Sequence, residues 1–406
     1  MAHILTLNAG SSSIKFGLYH TPQGQASEPQ IVARGLVDGI GTGPWLKVKD
    51  EGGAVISDHA LEEESTHADC LQSALKSLSL DSNAVVAVGH RVAHGAPGFP
   101  EPVVIDQRVF KQLAAYTPFA PSHQPHNLKA VLAAREAFPK AVQVACFDTS
   151  FHQGKDFVND AYALPRSLYD QGIRRYGHHG LSYDYIAGAL REVAPEVANG
   201  KVVVAHLGNG ASMCAIRNGR SVASTMGFSA LDGLPMGTRA GQIDPGIIIY
   251  LILVRGLDIE EIQNILYRES GLKGLSGLTN DMRDLESAGT QHAEEAIAYF
   301  AASIRRQIGS MAATLDGIDA IVFCGGIGEN AIDVRRRVLE PLGWLGVAFD
   351  AEKNKVRGKT ACISAPGSKI AVYVIPTDEE IVIARACLAF IPKTASSDLR
   401  QEVAAE

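Results

Sequence analysis

A turn rich in glycine, serine and asparagine lies near the start of the sequence. Residues 7–19, LNAGSSSIKFGLY, place Asn8, Gly10, Ser12 and Lys15 between two apolar runs. Backbone N–H groups of a tight turn converge on an anion, and small side chains let a polyphosphate come close. Lys15 would add a point charge, and Asn8 a neutral oxygen for magnesium or its water. An ordinary hairpin turn is the alternative, because neither Gly-x-x-x-x-Gly-Lys-Ser nor Gly-x-Gly-x-x-Gly is present.

Two further turns of similar composition favour the phosphate interpretation. LGNGAS at 207–212 follows an apolar run, and GGIGEN at 325–330 follows another. Glycine suits positions where the backbone turns tightly or approaches a ligand. Three such turns at strand ends predict one polyphosphate that is gripped from both sides.

Two arginines lie where a guanidinium would need an anion. Arg91 follows the apolar run VVAVG, and Arg239 lies in LDGLPMGTRAGQIDPG among turn-forming residues and few other charges. A solvated surface arginine is the alternative. The pair suits a carboxylate and a transferring phosphoryl group, both of which match the planar fork of a guanidinium.

Four histidines raise the question of a metal site. His123 and His126 form a His-x-x-His pair, and His178 is adjacent to His179. No carboxylate accompanies them at zinc-enzyme spacing, so zinc is disfavoured. His123 and His179 fit better as hydrogen-bond donors to an anion, and His126 as a structural residue. On a strand, the side chains of His178 and His179 would point to opposite faces.

Three carboxylates follow apolar strands. Asp148 comes at the end of QVACF, which would leave its carboxylate at the rim of a cleft, although such residues are also common as caps. Glu379 and Glu380 follow YVIPTD at a predicted helix start. One of them could hold magnesium, and the other could complement the helix dipole.

The composition bounds the class of protein. The 406 residues exceed one ordinary core, so two domains are expected. A net charge of −7 without a basic run argues against nucleic acid and anionic membranes as partners. The six cysteines are scattered without Cys-x-x-Cys, which is typical of thiols in a reducing compartment. No signal peptide is recognisable and the longest apolar run, 246–254, is too short for a membrane span, so a cytoplasmic location is expected.

The predicted elements fall into two similar α/β halves. Each half opens with a strand, a glycine-rich or serine-rich turn and a second strand, and VVAHLGNGAS matches ILTLNAGSSS in type at an offset of 199 residues. Helices are predicted over 126–138 and 294–315. The stretches 84–95, 143–152 and 320–330 each open with an apolar strand; the first two then become polar, and the third runs into a glycine-rich turn. The pattern predicts a substrate cleft between the halves.

Nine motifs together resemble the acetokinase family, within the superfamily of sugar kinases, heat-shock chaperone ATPases and actin. They are NAGSSSIKF, GHRVAHG, FDTSFH, RRYGHHG, HLGNGAS, MGTRAGQIDPG, GLTNDMRD, GGIGEN and PTDEE, in family order over nearly the whole chain. The resemblance implies an α/β fold of two duplicated actin-like (ribonuclease H-like) domains with a nucleotide cleft between them. The first would span 1–150, with a C-terminal helix at about 385–406 folding back onto it, and the second 151–384. A cytoplasmic homodimer is also implied.

The implied activity is reversible transfer of a phosphoryl group from ATP to a short carboxylate, with magnesium, or manganese in its place. By motif, Asn8 and Glu379 would place the metal, Lys15 and Ser12 would contact ATP, and Arg91 would bind the carboxylate. His179 and Arg239 would stabilise the transition state, Asp148 takes the catalytic acidic position, and His123 would lie near the phosphoryl group. The implied nucleotide residues are His206, Leu207, Gly208, Asn209, Gly210, Asp281, Met282, Arg283, Gly326, Ile327, Gly328, Glu329 and Asn330.

The chemistry agrees with this resemblance. A carboxylate is already ionised at neutral pH, so no strong general base is needed. A loose phosphoryl transition state needs positioning and positive charge instead. We therefore expect Asp148 to orient a water or the nucleophile and not to abstract a proton.

The acyl pocket departs from the family pattern. Family members often carry valine, leucine, phenylalanine and proline where this chain has Ala93, Ser122, His178 and Ala230. Each change shortens or polarises the wall. Acetate is the expected acid, and propionate or a polar short acid is the alternative. A nucleotide-dependent switch of the chaperone or actin type is a remote alternative, for which Arg91 and Arg239 would have no use.

Overall fold

The computed structural model describes residues 2–10, 13–22, 28–78, 80–95, 97–121 and 123–391. Ser12 and Ser122 lie outside the described residues. The strands are β1 (His3–Ala9), β2 (Ser13–His20), β3 (Gln30–Asp38), β4 (Trp45–Asp50), β5 (Val55–Ala60), β6 (Val85–Val92), β7 (Val103–Val104), β8 (Val142–Phe147), β9 (Lys201–Leu207), β10 (Ala211–Arg217), β11 (Arg220–Ser224), β12 (Ala320–Cys324), β13 (Ala361–Cys362) and β14 (Ala371–Val374).

The helices surround two separate sheets. They are α1 (His67–Ser77), α2 (Gln107–Ala115), α3 (Gln124–Ala137), α4 (Phe157–Asp160), α5 (Arg166–Asp170), α6 (Gly180–Val193), α7 (Pro195–Ala198), α8 (Pro245–Leu253), α9 (Ile259–Asn264), α10 (Gly271–Ser276), α11 (Met282–Ala288), α12 (Gln291–Leu315), α13 (Gly325–Asn330), α14 (Ile332–Leu339) and α15 (Glu379–Leu388). None of the helices in the described part of the chain is long and apolar enough to cross a membrane.

The chain forms two compact units. The first contains the described residues up to Ser150 and those from Glu379 onward, and the second contains Phe151–Asp378. The helix expected at about 385–406 is observed as α15, which begins at Glu379, and the stretch from 392 lies outside the described residues. The identity of the units as the two family domains stays a prediction.

The first unit is built on an eight-stranded sheet. Its order is β5-β4-β3-β2-β1-β6-β8-β7, with β1, β6 and β8 mutually parallel and the β1–β5 meander antiparallel. Apolar side chains of the meander, such as Leu7, Phe16 and Leu46, are buried with α1 and α3 on one face. On α15, Ile383 lies so close to Gly89 of β6 that a Cβ there would be 2.3 Å from its Cγ2. Gly89 therefore allows α15 to pack directly on the sheet.

The second unit repeats the same strand plan. Its six-stranded sheet has the order β11-β10-β9-β12-β14-β13, with β9, β12 and β14 parallel and β9, β10 and β11 antiparallel. The order β3-β2-β1-β6-β8 of the first sheet thus corresponds to β11-β10-β9-β12-β14. The strand–turn–strand pattern predicted at residues 4–13 and again 199 residues later is confirmed in both places.

Long apolar helix faces cover the second sheet. Phe300, Ile304 and Ile308 of α12 are fully buried with the β9–β10 face, and Ile186 and Leu190 of α6 are buried with the opposite face. Thr290 caps the start of α12, and its hydroxyl accepts from the Ala293 N–H. The two faces hold β9 and β12 rigidly, and the turns that follow these strands carry the candidate nucleotide residues.

Candidate active site

A charged cluster lies at the carboxyl ends of the parallel strands in the first unit. Arg91 is the penultimate residue of β6, and Asp148 directly follows β8, the parallel neighbour of β6. Asn8 comes from β1, which pairs with the other side of β6. Glu379 is the first residue of α15. Parallel strands end at the same edge of a sheet, so these four side chains, distant in sequence, meet there.

Hydrogen bonds hold Arg91 in one orientation. Its Nε lies 3.0 Å from Asp148 Oδ1 and its Nη2 2.6 Å from Asp148 Oδ2, a two-pronged contact. Its Nη1 donates to Asn8 Oδ1 at 3.0 Å, and Asn8 Nδ2 donates to Glu379 Oε2 at 3.4 Å. Only 2% of the Asp148 surface is exposed, so its carboxylate depends on the guanidinium for its charge balance. Both carboxylate oxygens of Asp148 are thus engaged with Arg91.

Burial and mutual charge shift the titration of this cluster. Burial raises the pKa of Glu379 from 4.5 to about 7, with further increases from Asp148 and Glu380, while Arg91 and Lys15 oppose the rise. For Arg91, burial alone would lower the pKa, but the neighbouring Asp148 and Glu379 carboxylates raise it well above its ordinary value. Arg91 therefore remains a cation at any working pH.

The first glycine-rich turn is fixed from its flanks. Asn8 and Lys15 are cross-strand partners on β1 and β2. The Asn127 side chain donates to Ala9 O at 2.7 Å, and His67 Nε2 donates to Gly10 O at 2.9 Å. The turn is therefore anchored by α1 and α3 close to Asn8.

Histidines of α3 flank this turn. His126 lies in α3 with its ring 5.3 Å from that of His67, in keeping with the structural role predicted for it. His123 immediately precedes α3, and its carbonyl accepts from the Asn127 N–H.

Ala93 is buried after β6, and its N–H donates to Asn127 Oδ1 at 3.0 Å. The roles predicted for His123 and Ala93 remain predictions.

Hydroxyl and imidazole groups surround His179 in the second unit. His179 has a left-handed backbone, φ +58°, and caps the start of α6. Its Nδ1 lies 2.8 Å from Ser212 Oγ, and its ring stacks on His206 at 4.4 Å. The expectation that the His178–His179 pair lies on a strand was wrong, because the chain turns sharply there into α6. His178 is buried, and its carbonyl accepts from His152 Nε2 at 2.9 Å.

Gly210 brings Arg239 and His179 together. A Cβ at Gly210 would lie 3.2 Å from His179 Nε2 and 3.4 Å from Arg239 Nη2. Arg239 Nη1 donates to Ala230 O at 2.7 Å, which fixes the guanidinium against its own loop. The second glycine-rich turn therefore lies beside both side chains predicted to act on the phosphoryl group.

A cavity of about 520 Å³ opens beside this turn, within the second unit. Eight of the thirteen nucleotide residues implied by the family motifs line it: Gly208, Asn209, Asp281, Met282, Arg283, Gly326, Ile327 and Asn330. Asn280, Glu286, Ala331 and Arg357 also line it and were missed. Glu286 lies one helical turn from Met282, so helix spacing could have indicated it, whereas nothing in the sequence indicates Arg357.

The remaining five implied nucleotide residues are absent from the wall of this cavity. Leu207 is fully buried, and Gly328 lies against β9 and β12. Glu329 Oε1 accepts from Gly325 N at 2.9 Å and from Thr377 N at 3.2 Å, which ties the third turn to the chain after β14. His206 and Gly210 lie beside His179 instead. Their predicted contact with the nucleotide remains a prediction.

The two-unit α/β plan, with glycine turns at strand ends and arginines beside them, is that of a phosphotransferase, and the comparisons identify its family. The acetokinase family model matches residues 3–385, and the chain belongs to this family, in which the phosphoryl acceptor is a carboxylate. It is 52% identical to the acetate kinase of Methylocella silvestris, over 97% of this chain and 99% of that protein. It is 46% identical to the acetate kinase of Nitrobacter hamburgensis, over 99% of both.

Solved structures agree with this assignment. Porphyromonas gingivalis acetate kinase superposes with a TM-score of 0.84 at 34% identity, covering 97% of this chain and all of that one. A propionate kinase from Francisella tularensis superposes with a TM-score of 0.85 at 35% identity, covering 95% and 99%. The predicted actin-like α/β fold class is thereby confirmed.

Proposed function

We propose that the protein transfers the γ-phosphoryl group of ATP to acetate, forming acetyl phosphate and ADP, and catalyses the reverse reaction. The observation that carries this proposal is the Arg91 cluster, a partly buried and oriented guanidinium in a chain closely related to acetate kinases. A nucleotide switch would have no need of a guanidinium held for a carboxylate.

Arg91 has donors to spare for the acid. A guanidinium carries five N–H groups. Asp148 and Asn8 take the Nε–H, one Nη2 hydrogen and one Nη1 hydrogen among the residues that the structure describes. One hydrogen on each terminal nitrogen is left, which is the pair that binds a carboxylate with two parallel bonds. Asp148 then serves to orient Arg91, a role that requires it to stay ionised and does not involve proton abstraction.

The phosphoryl group would be stabilised by the second unit. His179 and Arg239 lie side by side at Gly210, so one oxyanion could accept from both. The Ser212 hydroxyl at His179 Nδ1 fixes the imidazole ring, and His179 Nε2 faces Gly210. We assign His123 to the same transition state and Ala93, Ser122, His178 and Ala230 to the acyl pocket, on the family motifs alone.

The nucleotide would occupy the cavity in the second unit. Gly208 and Gly326 present backbone without side-chain bulk, and Arg283 and Arg357 supply positive charge at the wall. We place Lys15 and Ser12 of the first turn on the ATP phosphates.

The donor set fits a magnesium ion carried by the nucleotide. No group of three His, Cys, Asp or Glu that could hold a metal occurs among the residues that the structure describes. Mg²⁺ prefers one or two carboxylates together with phosphate oxygens and water. Asn8 Oδ1 and the Glu379 carboxylate are oxygen donors of this kind at the edge of the first sheet. When bound, magnesium would neutralise charge on the phosphates, and Asn8 and Glu379 would hold it there.

The direct test is trapping of the acyl phosphate. Purified protein with acetate, ATP and Mg²⁺ should form acetyl hydroxamate when hydroxylamine is present. None should form without acetate, and Arg239→Ala should form it about 10²- to 10³-fold more slowly. ATP hydrolysis that no short acid changes, with no hydroxamate, would overturn the proposal in favour of the nucleotide switch.

We also propose a homodimer, and α8 supports it. None of the residues of this helix, PGIIIYLIL, is buried in the described structure, and Ile249, Leu253 and the following Val254 are 57%, 76% and 66% exposed. Contiguous apolar surface of this kind marks an association site. Light scattering should give twice the chain mass for the wild type and for Leu164→Glu, an exposed control, but the chain mass for Ile249→Glu/Leu253→Glu. A dimeric double variant would exclude α8 from the interface.

A further inference from the structure

Four cations line one cavity on the sheet of the first unit. The cavity has a volume of about 310 Å³, and its wall includes Lys15, Arg34, Lys47 and Lys49. The only carboxylate in that wall is Glu380. The chain as a whole carries a net charge of −7, so a cavity dominated by cations departs from the average surface of this protein.

Strand register explains why these side chains share a face. Lys15 of β2 pairs with Leu36 of β3, and Leu36 pairs with Lys47 of β4. Arg34 and Lys49 are the next pair on the same face, since side chains two residues apart along a strand point the same way. The four cations thus lie across three adjacent strands, and adjacent strands are about 4.8 Å apart.

Two of these cations face each other directly across the sheet. Arg34 and Lys49 are direct cross-strand partners, and like charges in that position are destabilising. Lys47 donates to Asp58 Oδ2 at 2.6 Å, which offsets one of the four charges. Lysines on exposed strands often protect the edge of a sheet, but β4 is not at the edge, because β5 covers it. Edge protection therefore does not account for the cluster.

We propose that this cavity binds a multivalent oxyanion of the diphosphate class, at a site additional to the nucleotide cavity of the second unit. Two phosphate groups joined by an anhydride oxygen can contact cations on neighbouring strands at once, whereas a single small anion would contact fewer of them. Arg34, Lys47 and Lys49 form the part of the site that the proposed catalysis does not use. Lys15 is also proposed to contact the ATP phosphates, so a diphosphate bound in this cavity would compete with ATP for Lys15.

Calorimetric titration of the full-length protein with inorganic pyrophosphate, in low-salt buffer without divalent metal, tests the proposal. We expect the dissociation constant to rise about tenfold or more in Lys49→Glu and in Lys47→Glu, each of which reverses a charge that meets the anion. Lys111→Glu, the same change on an exposed position of α2, should bind as the wild type does. Raising the ionic strength should weaken binding in the wild type, since the site is open to solvent.

Thermal unfolding separates loss of the site from loss of the fold. Lys49→Glu places an opposite charge beside Arg34, so its melting temperature without ligand should equal or exceed that of the wild type. Pyrophosphate should raise the melting temperature of the wild type but not that of Lys49→Glu.

Two outcomes overturn the proposal. One is unchanged pyrophosphate affinity in a folded Lys49→Glu protein, and the other is an affinity that depends on Lys15 but not on Lys47 or Lys49, which would place the probe at the ATP phosphates. Neither outcome bears on the proposed phosphotransfer. If phosphotransfer were the wrong proposal, no hydroxamate would form although pyrophosphate would still bind.

Discussion

The two sheets share one strand plan but carry different chemistry at equivalent points. Where β6 of the first sheet continues past His90, which is level with Leu7 of β1, it carries Arg91. In the second sheet Cys324 is level with His206, and the next residue is Gly325, with φ +75°. The first sheet therefore presents a charged side chain where the second turns its backbone at once into α13. The same strand plan allows both arrangements, because the residues after a strand end no longer pair with a neighbouring strand.

The two units differ in the chemical groups that they present at these points. The first unit presents a charged pair, Arg91 and buried Asp148. The second unit has backbone, hydroxyl and imidazole groups at the corresponding points, since a Cβ at Gly325 would lie only 2.8 Å from Leu207 O and His179 Nδ1 lies 2.8 Å from Ser212 Oγ. Arg239 lies beside His179 at Gly210, and removing it should test how far the hydroxyl and imidazole groups there suffice.

The largest expected effect is on Arg239. Arg239→Ala should lower kcat about 10²- to 10³-fold, the usual result of removing one donor to transition-state charge. Arg239→Lys should recover little of this, because an ammonium cannot reproduce the planar fork. Steady-state kinetics with acetate and ATP measure both. Near-normal kcat/KM in Arg239→Ala would show that the hydrogen-bond network around His179 stabilises the phosphoryl group without Arg239.

Arg91 should affect both stability and activity. Arg91→Ala leaves the buried Asp148 carboxylate without its partner, which should cost about 3 kcal/mol of unfolding free energy. It should also raise the KM for acetate and lower kcat, since the arginine binds the ground-state carboxylate. Urea unfolding and acetate titrations give the two effects separately.

The matched control is Arg91→Ala/Asp148→Asn. Removing both charges should restore most of the stability but none of the activity. A double variant that regains turnover would contradict the role of Arg91 in binding the acid.

The next prediction compares a buried histidine in each unit. Burial lowers the pKa of His90 from 6.5 to about 4 in the first unit and that of His152 to about 3 in the second. The folded protein favours the neutral rings, so the unfolded chain binds more protons below pH 6.5. The free energy of unfolding should therefore fall as the pH falls from 6.5, and the His90 contribution should level off below pH 4, after a loss of about 3 kcal/mol at most.

Denaturant unfolding at a series of pH values measures this slope. His90→Gln should make it shallower between pH 6.5 and 4, whereas His59→Gln, at an exposed position of β5, should leave it unchanged. Equal slopes in His90→Gln and the wild type would mean that His90 does not stay neutral in the folded protein.

Sequence patterns predict much of this fold because its signals are local. Apolar runs and glycine turns indicated the paired strands, and Arg91 and Asp148 at strand ends indicated where side chains would meet. The left-handed backbone of His179 could not be predicted, because residues other than glycine adopt it rarely and no local pattern marks it. The apolar run of α8 is exposed, since nothing within the described chain covers it. Arg357 reaches the nucleotide cavity through a loop whose path only the tertiary structure defines.

A smaller effect is expected at His152, which positions the His179 loop. Its Nε2 donates to His178 O at 2.9 Å, its Nδ1 accepts from Ser221 Oγ at 2.8 Å, and its ring packs against Gly177. His152→Ala should lower kcat about tenfold with little change in the KM for acetate, because small displacements of a catalytic group are costly. His152→Gln retains a donor and should recover part of the loss. A KM effect without a kcat effect would argue against this positioning role.

The smallest effect concerns the choice of acid. Ala93, Ser122, His178 and Ala230 stand where the family often has larger apolar residues, and a close-fitting apolar pocket discriminates one methylene by about 10- to 200-fold. A shortened wall should lose most of this, so kcat/KM for propionate should come within about tenfold of that for acetate. The combined variant Ala93→Val, Ser122→Leu and His178→Phe should widen the gap in favour of acetate, whereas Leu164→Val, an exposed control, should not. If kcat/KM in the unmodified enzyme is about a hundredfold higher for acetate than for propionate, these positions do not form the wall of the pocket.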